Sequence, residues 1–314
     1  NDMIEKSLSF YRKKAKKLDF KNSNHKKLAL LSNFTLQGFS DVLKVISNDH
    51  GMNLRIYESP YDQYRQEIIN ENSEWRKFNP DISFIVLDFE SLVGSVLFDY
   101  PFFTNEEKNE LIEKTCFELT KFVKSALKQK GLVIISTFLL PEFSPLGIYE
   151  LKTQYSMREF VTKLNNLLLE LSTQYGSLFC FEMDTLFQKY GSENFVDYKL
   201  KYLADMKISP DKFEYLAYLM LSFLFPLFGK TKKCLVLDLD NTLWGGIVGE
   251  DGLNNIKIDS KITGSSFLEF QKVILQLFKR GIILAVNSKN NLSDVIDVFQ
   301  NHPDMILKEN YFAA

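Results

Sequence analysis

Short apolar runs that end on polar residues, separated by stretches of helical period, constrain this 314-residue chain more than any other feature. Residues 28–31 give way to Ser32, Asn33 and Thr35, residues 82–87 to Asp88, and residues 178–181 run on to Asp184, with further runs at 54–57 and 132–136. Runs of this length without alternation are strands buried on both faces. Between them Phe39, Val42, Leu43 and Ile46 mark one helix face ending near Gly51, residues 105–130 form a long amphipathic helix closed by Gly131, and residues 157–175 are helical. Strands alternating with helices predict an α/β fold whose parallel sheet of roughly five strands carries helices on both faces.

Composition limits the partners. With 45% hydrophobic and 25% charged residues the sequence is that of an ordinary globular protein, and a net charge of -2 argues against a nucleic-acid footprint. A basic run, Arg12, Lys13, Lys14, Lys16 and Lys17, followed by Lys26 and Lys27, is expected to be a solvated helix face, because no aromatic platform interleaves with it. It belongs to a polar arm reaching about Asn24, with Ile4, Leu8 and Tyr11 on one face. Cys116, Cys180 and Cys234 are widely separated in apolar contexts, which predicts buried free thiols and a cytoplasmic protein. No signal peptide pattern opens the sequence, and the most apolar segment, residues 216–228, is too short to span a membrane.

Chemistry concentrates in CLVLDLDNTLWGGIVGEDG, from Cys234 to Gly252. The strand 234–237 turns polar at Asp238, Asp240, Asn241 and Thr242, and carboxylates at the carboxyl end of a parallel strand lie in the crevice where open α/β sheets bind ligands. Two carboxylates this close share a cation, or one of them holds a proton. The polar linker 229–233 places a domain boundary near Lys230, giving domains 1–229 and 230–314. In the second, a helix over 267–280 stops at Gly281, and strand 282–286 delivers Asn287, Ser288 and Lys289 to its carboxyl end, ahead of a helix begun near Ser293 and Asp294.

DLDNT after an apolar strand resembles the first motif of the haloacid dehalogenase (HAD) phosphohydrolases, and its continuation WGGIVGEDG resembles their FkbH-like group, in subfamily IIIC. The resemblance implies a Rossmann-like HAD domain and a Mg2+-dependent phosphoryl-group hydrolase or transferase. Asp238 would be the nucleophile that forms an aspartyl-phosphate and Asp240 the general acid and base, with both holding magnesium. Thr242 would fix the loop, and Thr242, Ser288 and Lys289 would serve the phosphate. The family's motifs continue past HPDMILKENYFAA to a lysine and an acidic pair, so a truncated domain with little phosphatase activity is expected.

The family loads a glyceryl unit from a phosphorylated glycerate onto an acyl carrier protein, in polyketide or surface-polysaccharide biosynthesis. A phosphorylated small molecule and a carrier protein are the implied partners, with no nucleic acid and no membrane. A small-molecule (sugar) phosphatase, or a silent docking module for a biosynthetic partner, is the alternative. Asn287 stands where glyceryl-loading relatives carry a cysteine, which predicts no covalent acyl-enzyme; Cys234 is expected to face a core.

LLSNFT, NPDISFIVLDFESL and YLADMKISPD resemble the region ahead of the HAD domain in FkbH-like proteins, a flavodoxin-like sandwich similar to SGNH hydrolases. An SGNH hydrolase needs a serine after the first strand and an Asp-x-x-His near the end. Ser32 or Thr35 suits the first position, but Ile208 follows Asp205 at the histidine's place, and His25, His50 and His302 lie elsewhere. A binding or docking sandwich without esterase activity is the expectation.

Overall fold

The computed structural model describes residues 7–18, 25–260 and 262–313. Residues group into two compact units, Asn1–Leu224 and Phe225–Ala314. The division falls inside the helix Phe213–Leu227 rather than at the linker 229–233.

The first unit holds a five-stranded sheet in the order β2-β1-β3-β4-β5, every pairing parallel. Its strands are β1 (Lys26–Ser32), β2 (Leu54–Glu58), β3 (Ile82–Val86), β4 (Leu132–Ser136) and β5 (Leu178–Phe181). Burial follows position in the sheet. Every residue of central β3 is buried, whereas edge strands β2 and β5 show exposed or half-exposed members. The order reverses between β1 and β3, so the ligand crevice of such a sheet opens beyond the carboxyl ends of that pair.

Helix starts are set locally. Thr104 with Glu107 and Ser156 with Glu159 form capping boxes at the helices Asn105–Ala126 and Met157–Gln174. The first of these ends at Ala126, short of the expected 130, because the chain must turn into β4. Gly131 makes that turn at φ +110, where a Cβ would stand 2.6 Å from the Pro80 carbonyl oxygen. The stretch after β2 holds the short helices Tyr64–Ile69 and Glu74–Phe78. They are tied together where buried Glu67 accepts the Trp75 backbone N–H, and where the Trp75 indole donates to Ser83. The basic run forms the helix Leu8–Lys17 with Arg12, Lys13, Lys16 and Lys17 exposed and Lys14 paired to Asp49. Ile4 and residues 19–24 of the expected arm lie outside the described residues.

The second unit pairs β6 (Cys234–Leu237) with β7 (Ile283–Val286) in parallel, with the helix Ser265–Lys279 between them in sequence and the helix Leu292–Asn301 after β7. Leu237, Ile274, Leu284, Val298, Phe299 and Trp244 share its core. Strand alternation corrects the cysteine expectation: Leu237 points into this core, and Cys234 and Val236 on the opposite face are exposed. Cys116 and Cys180 are only half-buried.

Gln271, with 0% exposure, donates Nε2 to the Leu243 carbonyl at 2.7 Å and accepts the Ile306 and Leu307 N–H groups at 3.0 and 3.3 Å. One amide thus satisfies three main-chain groups in two segments far apart in sequence. Gln271→Ala should strand all three and destabilise the second unit by about 3 kcal/mol, read as a lowered urea midpoint for Trp244 fluorescence.

Candidate functional sites in the two units

In-register pairing builds the candidate site of the second unit. Leu237 is opposite Val286, and the Asn287 N–H donates to the Leu237 carbonyl at 2.9 Å, so Asp238 and Asn287 leave their strands side by side. Asp238, Asp240, Asn287, Ser288, Lys289 and Asn290 line one open cavity of about 550 Å³. The first motif and the strand-end serine, about fifty positions apart in sequence, therefore face the same space.

The loop after β6 is a tight turn. Asp238 Oδ1 accepts the N–H of Leu239 at 2.8 Å, and the Leu239 carbonyl takes the N–H groups of Thr242 and Leu243 at 3.0 and 2.8 Å. Asn241 adopts φ 55 and its side chain accepts the Gly246 N–H. Gly246 sits at φ +100, where a Cβ would stand 2.6 Å from an Asp251 carboxylate oxygen. Thr242 is half-buried and does not line the cavity; its main chain closes the turn.

The two aspartates differ. Asp238 is exposed at the cavity wall, whereas Asp240 is half-buried, with Oδ1 accepting the Trp244 indole N–H at 2.8 Å and the Val248 N–H at 3.2 Å. Ser288 Oγ accepts the Asn290 N–H at 3.3 Å. The helix beyond begins at Leu292 with Asn291 as its cap, slightly earlier than expected. Among the described residues no group of three or more His, Cys, Asp or Glu side chains could hold a metal ion. A site there has the Asp238 carboxylate and main-chain and hydroxyl oxygens to offer, a hard-donor set that suits magnesium, which keeps several waters. Sequence reasoning assigned no role to Trp244, although it opens the stretch WGGIVGEDG, or to Asn290, whose signal was its place after Lys289.

At the carboxyl ends of β1 and β3 the Asn33 amide clamps the Asp88 backbone from both sides, accepting its N–H at 2.8 Å and donating to its carbonyl at 2.9 Å. Lys207 pairs with Asp205 at 3.1 Å, Asp88 at 3.6 Å and Glu90 at 3.9 Å, and Lys201 reaches Glu90 at 3.1 Å. Burial pushes the Asp88 carboxyl up against the opposing pull of Lys207 and Ser91. Burial pulls Lys207 down, but Asp88, Asp205 and Glu90 outweigh it and raise the ammonium. Tyr61 donates to Asp205, whose carbonyl accepts the Thr35 N–H. Ser32 is buried, with Oγ accepting the Phe34 N–H; Ile208 is buried in the apolar core. His25 precedes β1, and the ring of His50, at the end of the helix Phe39–Asp49, bonds the Ile46 carbonyl. A charged cluster centred on Lys207 therefore sits beyond the carboxyl ends of β1 and β3.

The chain belongs to the FkbH N-terminal domain family, which it matches over residues 27–224. Comparison with curated proteins gives no match. Among solved structures it is similar to the N-terminal part of a Bacteroides fragilis protein containing a phosphatase domain, complexed with Mg. Identity there is 30%, the match covers 98% of this chain and 80% of the other, and the TM-score is 0.85. A lipase from a goat rumen metagenome matches at 12% identity and TM-score 0.45, covering 63% of this chain and 97% of its own. A GDSL-like lipase from Bacteroides thetaiotaomicron matches at 10% identity and TM-score 0.41, covering 70% and 98%. These two overlaps are too loose to bear on chemistry.

Two outcomes are expected for the first unit. A serine-reactive phosphonate should label neither Ser32 nor Thr35, checked by peptide mass spectrometry. Lys207→Met should remove the cation that offsets Asp88, Glu90 and Asp205, destabilising the unit by about 2 kcal/mol at neutral pH. Asp88's raised pKa fixes the sign: a carboxyl favoured in its neutral form gives stability below the unfolded pKa and loses it as pH rises. Urea midpoints of variant and parent should therefore converge on acidification through the carboxylate range.

Proposed function

We propose that the second unit contributes to HAD-type, magnesium-dependent phosphoryl-group chemistry in the intact protein, with Asp238 as the nucleophile. The observation that carries this is the β6–β7 register, which sets an exposed carboxylate beside Ser288 in a cavity that also holds Asp240. The Bacteroides relative, with its phosphatase domain and Mg, supports the same reading.

The Asp238 carboxylate attacks the phosphorus, and the bond to the leaving oxygen breaks as the aspartyl-phosphate forms. Asp240 donates a proton to that oxygen, then takes one from the water that releases phosphate. Ser288 and the Lys289 cation hold the transferring oxygens, and Thr242 acts through the turn. The Asp238 carboxylate and the main-chain carbonyl of Asp240 would hold magnesium, which would supply charge neutralisation for the phosphoryl oxygens.

A glyceryl-type acyl phosphate is the substrate class we favour; attack at phosphorus releases the glyceryl group as its carboxylate and then phosphate, so any acyl transfer runs separately, by attack of an external acceptor such as a carrier-protein thiol on the carbonyl carbon with phosphate leaving. Asn287 offers no nucleophile, and Cys234 stands at the far end of β6, about 13 Å along the strand from Asp238 at the usual rise per residue. Crystals soaked with magnesium and beryllium fluoride should show density joined to the Asp238 carboxylate. An adduct on Asp240, or undiminished uptake by Asp238→Asn, breaks the assignment.

A further inference from the structure

Trp244 is fully buried, yet its indole N–H is directed at a carboxylate that lines the cavity. A buried indole N–H needs an acceptor, and an ordinary core supplies a carbonyl or hydroxyl, as Ser83 does for Trp75. Here the acceptor is Asp240 Oδ1, which also takes the Val248 N–H, while Oδ2 has no hydrogen-bond partner among the described residues. The indole is itself held: its ring meets Phe299 edge-on at 6.2 Å, and the preceding carbonyl, that of Leu243, is bound by buried Gln271.

We propose that Trp244 is a positioning residue for phosphoryl transfer. It fixes the rotation of the Asp240 carboxylate so that Oδ2 alone exchanges the proton with substrate and water. The inference rests on the phosphoryl reading of Asp238. As the bond from phosphorus to the leaving oxygen breaks, the proton on Oδ2 passes to that oxygen. When water attacks the aspartyl-phosphate, its proton returns to Oδ2, and the carboxyl ends as it began. With two N–H donors on Oδ1, the second oxygen is the better placed to carry the proton.

The test compares two phosphoryl mimics by calorimetry in magnesium, using the full chain. Beryllium fluoride reports on Asp238; orthovanadate adds an axial oxygen that Oδ2 can contact. Trp244→Phe should weaken orthovanadate roughly tenfold, the size of one hydrogen bond to a charged group, with beryllium fluoride changed by less than about twofold. Asp240→Asn should reproduce the orthovanadate loss. Equal loss of both mimics in Trp244→Phe means a structural role only and overturns the proposal. Binding of neither mimic by the unsubstituted chain brings down the phosphoryl reading and this inference together.

Nitrogen-15 spectra of the two indoles decide the matter should Trp244→Phe fail to fold. In Asp240→Asn the Trp244 indole resonance should move while that of Trp75 stays. An unmoved Trp244 resonance would show that the indole does not hold this carboxylate.

Discussion

The site of the second unit depends on one backbone pairing, the in-register parallel contact of β6 with β7. Parallel strands run their carboxyl ends to the same side, so a chain that places polar residues directly after each strand collects them at one edge. The Asn287 N–H to Leu237 carbonyl bond is the last rung of that ladder, and everything that lines the cavity follows within a few residues of it. A slip of one residue would reverse the face of every side chain on the strand and carry Leu237 out of the core.

The turn after β6 converts that placement into unequal chemistry for two similar side chains. Asp238 remains at the surface with one local hydrogen bond, while Asp240 folds back under the loop onto Trp244 and Val248. The turn is held by positions with little freedom, Asn241 at φ 55 and Gly246 at φ +100, and from beneath by Gln271. The Asn241, Asp240 and Asp251 side chains each accept a main-chain N–H there, which leaves the turn few alternative arrangements. In the first unit the Asn33–Asp88 clamp fixes the chain at the β1/β3 switch point, where Lys207 pairs with three carboxylates.

Much of this was legible in local sequence. Strand positions followed from uninterrupted apolar runs, and the helices Asn105–Ala126 and Met157–Gln174 from their helical patterning. Asp238, Asp240, Ser288 and Lys289 were marked by position after strands. The helices Tyr64–Ile69 and Glu74–Phe78 were not legible, because Glu67 and Trp75 support them through contacts their own periodicity does not encode. Cys234 was misplaced for a related reason: a short apolar run shows that a strand is present without showing which of its faces is covered.

The sequence by itself determined the alternation of strands and helices, the parallel sheet this implies, and the residue types at each strand's carboxyl end. These depend on periodicity, capping and turn chemistry, which act over a few residues. Only the tertiary structure decided that Ser288 faces the space of Asp238, that Thr242 serves the turn rather than the cavity wall, and that Trp244 and Gln271 support the loop from the core. Those facts are pairings between distant segments, fixed by strand register and by the need of each buried donor to find an acceptor.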